Sequence, residues 1–475
     1  MMRTTLKGAF SSPGVHAWAS GTYRFSSLLQ EALSAALARL LPIHIEKPHK
    51  SGSRIHLTQS IPSVNAWARE RVQRFFGAND WVGETIFQRP FRTWSLLLII
   101  LALSTWCSAQ TQLTVKAVNK LPIVRTNQTI ELTAKDLAPL GEKDLNKIHL
   151  RDSSGKELLS QAVDTDYDEL HKPDIVIFQA DFKPNETRTF VVSARKKHEY
   201  TKDDFKAYGR FVRERFDDFA WENDLIAHRT YGQALITWKG EPLTSSAIDI
   251  WSKRTSKLVI NDWYMVDNYH ADEGEGMDDY SAGATRGCGG SGIWANNQVY
   301  APSNFVDSRV LTNGPIRVMF ELVYQPFDVN GTKVSEVLRI SLDAGSQLDH
   351  FQSFYNIQGG NASLPVAIGL KKVKDEQTEL NAARGWLAIW EPMEKNQGMQ
   401  GIAAVFDPPQ FDKQAEDKQN NLIILKAGTA KPVSYWAGFA WDRAGKITSA
   451  DAWKKYVDEF ANGLRSPIEI SVTPQ

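Results

Sequence analysis

Cysteine is almost absent from this chain of 475 residues: there are two, Cys107 and Cys288. A net field is absent too, because 55 basic residues balance 55 acidic ones and the formal charge is zero. A neutral chain has no global attraction for nucleic acid or an anionic membrane surface, so any affinity for an anion must be local. The longest apolar run, Trp94–Leu103 (WSLLLIILAL), is short of the roughly 20 residues that a membrane-spanning helix needs. No internal repeat and no extended low-complexity segment follows it. A composition that is 42% hydrophobic and 11% aromatic is enough to bury a real core.

The apolar run lies behind Arg89 and Arg92 and ahead of small residues ending near Ala109, the pattern of a secretory signal peptide. Trp106 stands where a lipoprotein needs a small residue, so Cys107 does not read as a lipid-attachment site. The expectation is a signal peptide at 93–110, with 1–92 either a mis-assigned leader or a cytoplasmic extension before an internal anchor. The mature protein would be periplasmic or secreted and free of the membrane. Cys288 would then be its lone thiol, no intrachain disulfide would be possible, and stability would rest on packing.

Beyond Gln110 the sequence reads as strand after strand. Leu113–Val118, Thr129–Thr133, Asp174–Phe178 and Thr187–Val192 are short, β-branched and mostly alternating, with turn residues between them. They predict a small β-sandwich over 111–196. The polar run Arg195–Asp204 reads as a linker, and 205–475 as a larger β-sandwich. Its clearest hairpin joins Ile316–Tyr324 to Lys333–Leu342 through Asn330-Gly331, a pair that accepts positive φ. One helix is expected at 450–463, with Ser449 as N-cap, Gly463 as stop, and Trp453, Val457 and Phe460 on one face. The fold class is therefore all-β, a large antiparallel sandwich preceded by a small one.

Between Tyr208 and Trp294, ionisable, aromatic and glycine residues crowd together. Gly209–Asp224 reads GRFVRERFDDFAWEND, Ala227–Gly232 reads AHRTYG, Tyr269–Tyr280 reads YHADEGEGMDDY and Arg286–Gly290 reads RGCGG. Cations, carboxylates, phenols and ring faces are the groups an enzyme needs for an acidic sugar. These phrases, with Asn313–Arg317 (NGPIR), Glu336–Gly345, Trp390–Pro392 (WEP) and Tyr435–Asp442 (YWAGFAWD), resemble an exported bacterial family catalogued as domain of unknown function 4861. The resemblance spans about Val115 to Val472. It implies a companion of systems that degrade uronic-acid-rich glycans such as ulvan, with an oligosaccharide dehydratase activity that leaves a 4,5-unsaturated uronic acid. A sandwich of the galactose-mutarotase type is the matching architecture.

Such an elimination makes three demands: a cation to neutralise the carboxylate, a base at C5, and an acid for the departing 4-hydroxyl. Arginine suits the first, because its planar fork binds a carboxylate bidentately. Histidine or a deprotonated tyrosine suits the second, and tyrosine the third. Strand alternation over 227–231 puts Arg229 and Tyr231 on one face and His228 on the other. Arg229 reads either as the substrate's cation or as the partner of a framework carboxylate such as Asp224. His228 reads as a substrate contact or as a core histidine. His270, beside an acidic glycine-rich loop, is the candidate base, and Tyr280 the candidate acid. Arg286 with its glycines reads either as a cradle for an anion or as a tight turn needing positive φ, Glu275 is a candidate substrate contact, and Trp221 and Trp441 could form a subsite wall or belong to the core.

No cofactor is expected. Asp272–Asp279 carries enough carboxylates for calcium, although its spacing is not that of an EF-hand and a solvated loop is the plainer reading. Cys288 has little near it in sequence to activate a thiol. The expected partner is an acidic oligosaccharide. Two other classes stay open: a glycoside hydrolase using a pair among Asp217, Asp218, Glu222, Glu275 and Asp279, and a non-catalytic carbohydrate-binding or epimerase-like sandwich.

Overall fold

The computed structural model describes residues 111–475 apart from 166–170, 241, 267–268, 360–362 and 429–430. The expected leader and signal peptide lie outside the described residues. Among the described residues no helix is long and apolar enough to cross a membrane.

The chain is built almost wholly of antiparallel sheet. Strand Gln112–Val118 alternates as its sequence demands, burying Leu113, Val115 and Ala117 while Lys116 faces out. It lies between Thr187–Ala194 and the C-terminal strand Glu469–Pro474, with Val115 opposite Val472. The two ends of the described chain therefore pair in one five-stranded sheet. A three-stranded sheet of Arg125–Thr133, Ile175–Phe182 and Ser160–Val163 shares its core, where Phe178 and Phe190 meet edge to face. Arg195–Asp204 stays close to this sandwich: His198 stacks on His149 at 3.8 Å, and the Tyr200 hydroxyl donates to the Ser160 carbonyl.

The larger part is a β-sandwich arrangement of one nine-stranded sheet and two five-stranded sheets around a common core. The nine-stranded sheet includes Arg317–Val323, Phe327–Val329 and Thr332–Asp343, the last two joined through a turn in which Asn330 (φ 52°) and Gly331 (φ 84°) both take the left-handed conformation that matches strand twist. One five-stranded sheet carries Cys288–Ala295 and Leu364–Lys371. The other runs Ala207–Val212, Asp218–Asn223, Ala227–Thr230, Asp249–Lys253 and Gly276–Met277, and it supplies most of the chemistry described below.

The helix spans Ala450–Arg465, and the Ser449 hydroxyl accepts from the Ala452 amide as an N-cap. Trp453, Val457 and Ala461 are buried against the nine-stranded sheet. Gly401 is a glycine because a Cβ there would come within 2.5 Å of the Trp453 ring. The helix runs two residues past Gly463. Its terminal carbonyls have a partner: the Arg125 guanidinium donates to Ser466 O at 2.7 Å and Gly463 O at 3.4 Å. A cap supplied from more than 300 residues away in sequence is invisible to local reasoning.

Candidate active site

In the sheet register Arg229 lies opposite Asp249. The Asp249 carboxylate takes two donors from that strand, Arg229 Nε at 2.9 Å and the Tyr231 hydroxyl at 2.8 Å, both on Oδ2. Arg229 Nη2 then reaches Asp278 Oδ2 at 3.0 Å. His270 closes the series, its Nδ1 lying 3.0 Å from the Asp278 carbonyl and 3.4 Å from Asp278 Oδ2. The imidazole stacks on Tyr269 at 4.3 Å and is half exposed. Among the described residues Nε2 has no hydrogen-bond partner. The structure thus links Tyr231, Asp249, Arg229, Asp278 and His270 in one continuous chain from core to surface.

Tyr280 lies at the buried end. Its hydroxyl makes no hydrogen bond among the described residues, and Lys371 Nζ sits 4.9 Å from its ring centroid. An orphaned buried hydroxyl costs roughly 1–3 kcal/mol, a penalty that a ligand can relieve. Nearby, Glu391 is fully buried, one carboxylate oxygen bonded to Gln400 Nε2 and the other without a donor. Met277, Met393 and Trp441 form a small apolar cluster of their own.

Burial sets the protonation pattern. It pushes the Glu391 carboxyl up to about 8. Asp278 is also pushed up to about 8, by burial and by Asp249, against the pull of Arg229, since one guanidinium cannot fully compensate two carboxylates. Asp218, buried at the start of a strand of the same sheet, rises to about 7 for the same first reason, with Arg229 opposing. Burial works to lower Arg229, but Asp278 and Asp249 outweigh it and hold the guanidinium firmly charged. Tyr231 and Tyr280 lie well above the ordinary phenol range, Tyr231 through burial and then Asp249, Tyr280 through burial and then Glu391. Both phenols remain proton donors at neutral pH. A deprotonated Tyr231 or Tyr280 is therefore incompatible with this setting.

Other candidates are placed differently. His228 is fully buried, with Nδ1 on the Asp249 carbonyl at 2.8 Å, Nε2 3.0 Å from Asp349, and its ring stacked on Trp221. Trp221 is buried and donates to Asp349 Oδ1 at 2.7 Å, so neither residue presents a face to a sugar. Trp441 is 2% exposed and bonded to the Gln397 carbonyl. Arg286 lies within the sandwich, held by the Ser246 hydroxyl at 3.0 Å and by the Ser291 and Thr285 carbonyls at 3.2 Å, so its guanidinium faces no substrate. The Glu275 carboxylate pairs with exposed Lys257. The framework partner of Arg229 is Asp249 with Asp278, while Asp224 accepts from the Gly345 amide. Cys288 is buried, and burial first raises its thiol well above its ordinary value.

The acidic loop is organised by cations of the chain itself. Asp272 pairs with Arg254, Glu275 with Lys257, Asp278 with Arg229 and Asp279 with Lys395. Carboxylates dispersed over four partners do not converge on one point as a calcium cradle requires. Among the described residues the trio of ligand atoms close enough to share an ion is His149, Glu157 and His198, in the small sandwich. Arg151 and Arg195 lie 3.6 and 3.7 Å from Glu157, and their positive charge opposes a cation there.

Asp249, Asp278, Glu391 and Lys371 were not singled out from the sequence. Asp249 carried a signal, a single carboxylate within the apolar run Ala247–Trp251. Glu391 lay in view in the WEP phrase without a role.

A cleft of about 650 Å³ opens elsewhere, bordered by the small sandwich, the nine-stranded sheet and the long helix. Its charged groups are already committed, Arg317 to Asp343 and Glu131, and Arg125 to the helix carbonyls. Burial lowers His350 in its wall to about 4, so the ring is neutral. The cleft reads as a seam between packed parts, and the unsatisfied chemistry lies at the Asp249–His270 chain.

Comparison with known proteins gives a family match over most of the described chain. The profile described as "Domain of unknown function (DUF4861)" matches residues 118–470. The uncharacterized protein P7 of Formosa agariphila is 32% identical over 368 residues, covering 74% of this chain and 92% of that protein. Among solved structures, an alpha-mannosidase from Enterococcus faecalis V583 gives a TM-score of 0.43 at 10% identity over 76% of this chain. A glycosyl hydrolase family 38 protein of Enterococcus faecalis gives 0.45 at 10% identity over 77%. The chain spans less than half the length of these two structures, 46% and 48% respectively.

Proposed function

The chain belongs to the DUF4861 family, and from that premise we propose that it is an exported carbon–oxygen lyase, an oligosaccharide dehydratase. It removes water from the uronic acid at the non-reducing end of an acidic, ulvan-like oligosaccharide and leaves a 4,5-unsaturated uronate. The observation that carries this reading is the linked series Tyr231, Asp249, Arg229, Asp278, His270, which ends on a half-exposed imidazole.

The proposed chemistry draws on those positions. Asp278 holds Nδ1, which orients the ring and leaves Nε2 to take the C5 proton. The freed electron pair becomes the C4=C5 double bond, and the C4–O4 bond breaks. The departing oxygen takes a proton from solvent and leaves as water, because Tyr280, the acid expected from the sequence, is buried at the far end of the series from His270. The proton on His270 then passes to solvent, which replaces the one given to the leaving oxygen, and the cycle balances. Arg229 acts here through Asp278 rather than on the substrate, since its donors face Asp249 and Asp278.

Incubating the purified protein with oligosaccharides ending in a saturated uronic acid tests this directly. A product lighter by one water, with new ultraviolet absorbance from the conjugated uronate, is the expected result. Release of reducing ends without that absorbance would instead identify a glycoside hydrolase. One observation favours that second reading: buried Asp278 and Glu391 are both pushed to about 8, as a carboxylic general acid requires. The earlier candidates for such a pair are less free. Glu222 is bonded to Lys253 and to the Val259 and Ile260 amides, and Asp218 to the Gly232 amide.

A further inference from the structure

We propose that Arg215 is the anion subsite of this protein, the residue that takes the substrate's carboxylate beside His270; the assignment of the carboxylate to a reacting uronic acid rests on the function proposed above. An elimination at C5 needs a cation on the carboxylate, and the cations nearest the linked series are committed. Arg229 is shared by Asp249 and Asp278, Lys395 pairs with Asp279, and Lys371 lies 3.5 Å from Glu394.

Arg215 differs. Among the described residues its guanidinium makes no ion pair and no hydrogen bond, which leaves its N–H fork uncommitted. It is nonetheless held in place, 5.4 Å from the ring centroid of Phe216 and 5.4 Å from that of Tyr269. Tyr269 is the ring on which His270 stacks. The free guanidinium and the candidate base therefore both contact the Tyr269 ring.

The backbone holds this arrangement. Arg215 sits in the turn between Ala207–Val212 and Asp218–Asn223, followed by Phe216 at φ 55° and Asp217 at φ 62°. Two successive non-glycine residues in the left-handed region are uncommon, and something must hold them there. Gly232 does so. A Cβ on it would come within 1.9 Å of the Asp217 carbonyl oxygen, and its amide donates to Asp218 Oδ1 at 3.0 Å. The turn is thus pinned to the end of the segment that carries Arg229 and Tyr231. A planar guanidinium with free donors, fixed against an aromatic face, fits a carboxylate bidentately and a neutral sugar poorly.

The test titrates the whole protein by calorimetry with glucuronate and with its neutral methyl ester, for wild type, Arg215→Gln and Arg215→Lys. It also measures KM and kcat on the uronate oligosaccharide. Arg215→Gln is expected to weaken glucuronate about 10- to 100-fold, to leave the ester unchanged and to unfold at the wild-type temperature; Arg215→Lys recovers part of the loss. Glucuronate affinity unchanged in Arg215→Gln, an equal loss for acid and ester, or no binding of glucuronate to wild type would each overturn the subsite. Arg215-dependent binding without dehydration leaves the subsite standing and removes the proposed reaction. Dehydration with kinetics indifferent to Arg215 does the reverse.

Discussion

Replacing Glu391 by glutamine should make the protein less sensitive to alkaline pH. The carboxyl is fully buried, and burial lifts it from its ordinary 4.5 to about 8, with Lys371 as the opposing charge. A folded-state pKa above the unfolded one means that the native protein holds this proton more tightly. The associated stability is complete below about pH 4.5, drains away as pH rises, and is gone above about pH 8. At 1.36 kcal/mol per unit of pKa, the difference amounts to about 5 kcal/mol at most, because relaxation and water entry reduce it. Glutamine has nearly the same shape and does not ionise, so Glu391→Gln removes this drain. Urea unfolding at pH 5 and at pH 8.5 measures it. The wild type should lose several kcal/mol more than the variant between the two conditions. Asp278 and Asp218, displaced in the same direction, keep some slope in both proteins. Parallel stability curves would refute the reasoning and mean that Glu391 ionises in the native protein at ordinary pH.

Three other perturbations separate catalysis from architecture. His270→Gln keeps a polar group on the Tyr269 ring but no proton acceptor of suitable basicity, and kcat on a uronate oligosaccharide should fall by roughly 10²–10⁴ with an unchanged melting temperature. Arg229→Leu leaves Asp249 and Asp278 facing each other without their shared cation, and should cost about 3–5 kcal/mol of folding stability at pH 8 by chemical denaturation, less in acid where a carboxyl can protonate. Gly401→Ala drives a methyl group into the Trp453 ring, and should lower stability by about 1–3 kcal/mol by the same measurement while leaving glucuronate affinity unaltered.

The legible parts of the sequence share a physical cause. Period-two alternation over 113–118 and turn chemistry at Asn330-Gly331 act between near neighbours, so they can be read without knowing what packs against them. The segregation of His228 from Arg229 and Tyr231 is likewise local, a consequence of pleating, and the folded strand keeps it. The segments around 227–231 and 269–280 held most of the polar groups that meet. The individual partnerships were not legible. Trp221 and Trp441 carry no local mark that separates a sugar platform from a core ring, and both are buried. Arg286 stands just before its glycines as an anion cradle would have it, yet its donors are taken up by hydroxyls and carbonyls inside the sandwich.

What the sequence by itself determined is the alphabet of this protein: an all-β chain, one capped amphipathic helix, and a segment dense in Arg, His, Tyr and carboxylate. Membership of its family was also legible, because motifs in a given order survive without coordinates. Tertiary structure alone decided that the last strand pairs with the first, that Arg125 caps a helix far along the chain, and that Asp249 and Asp278 share Arg229 on the way to His270. Propensity and periodicity act over a few residues. Charge compensation and burial are settled between strands that meet only when the sheets close, and those pairings determine which side chains remain free for chemistry.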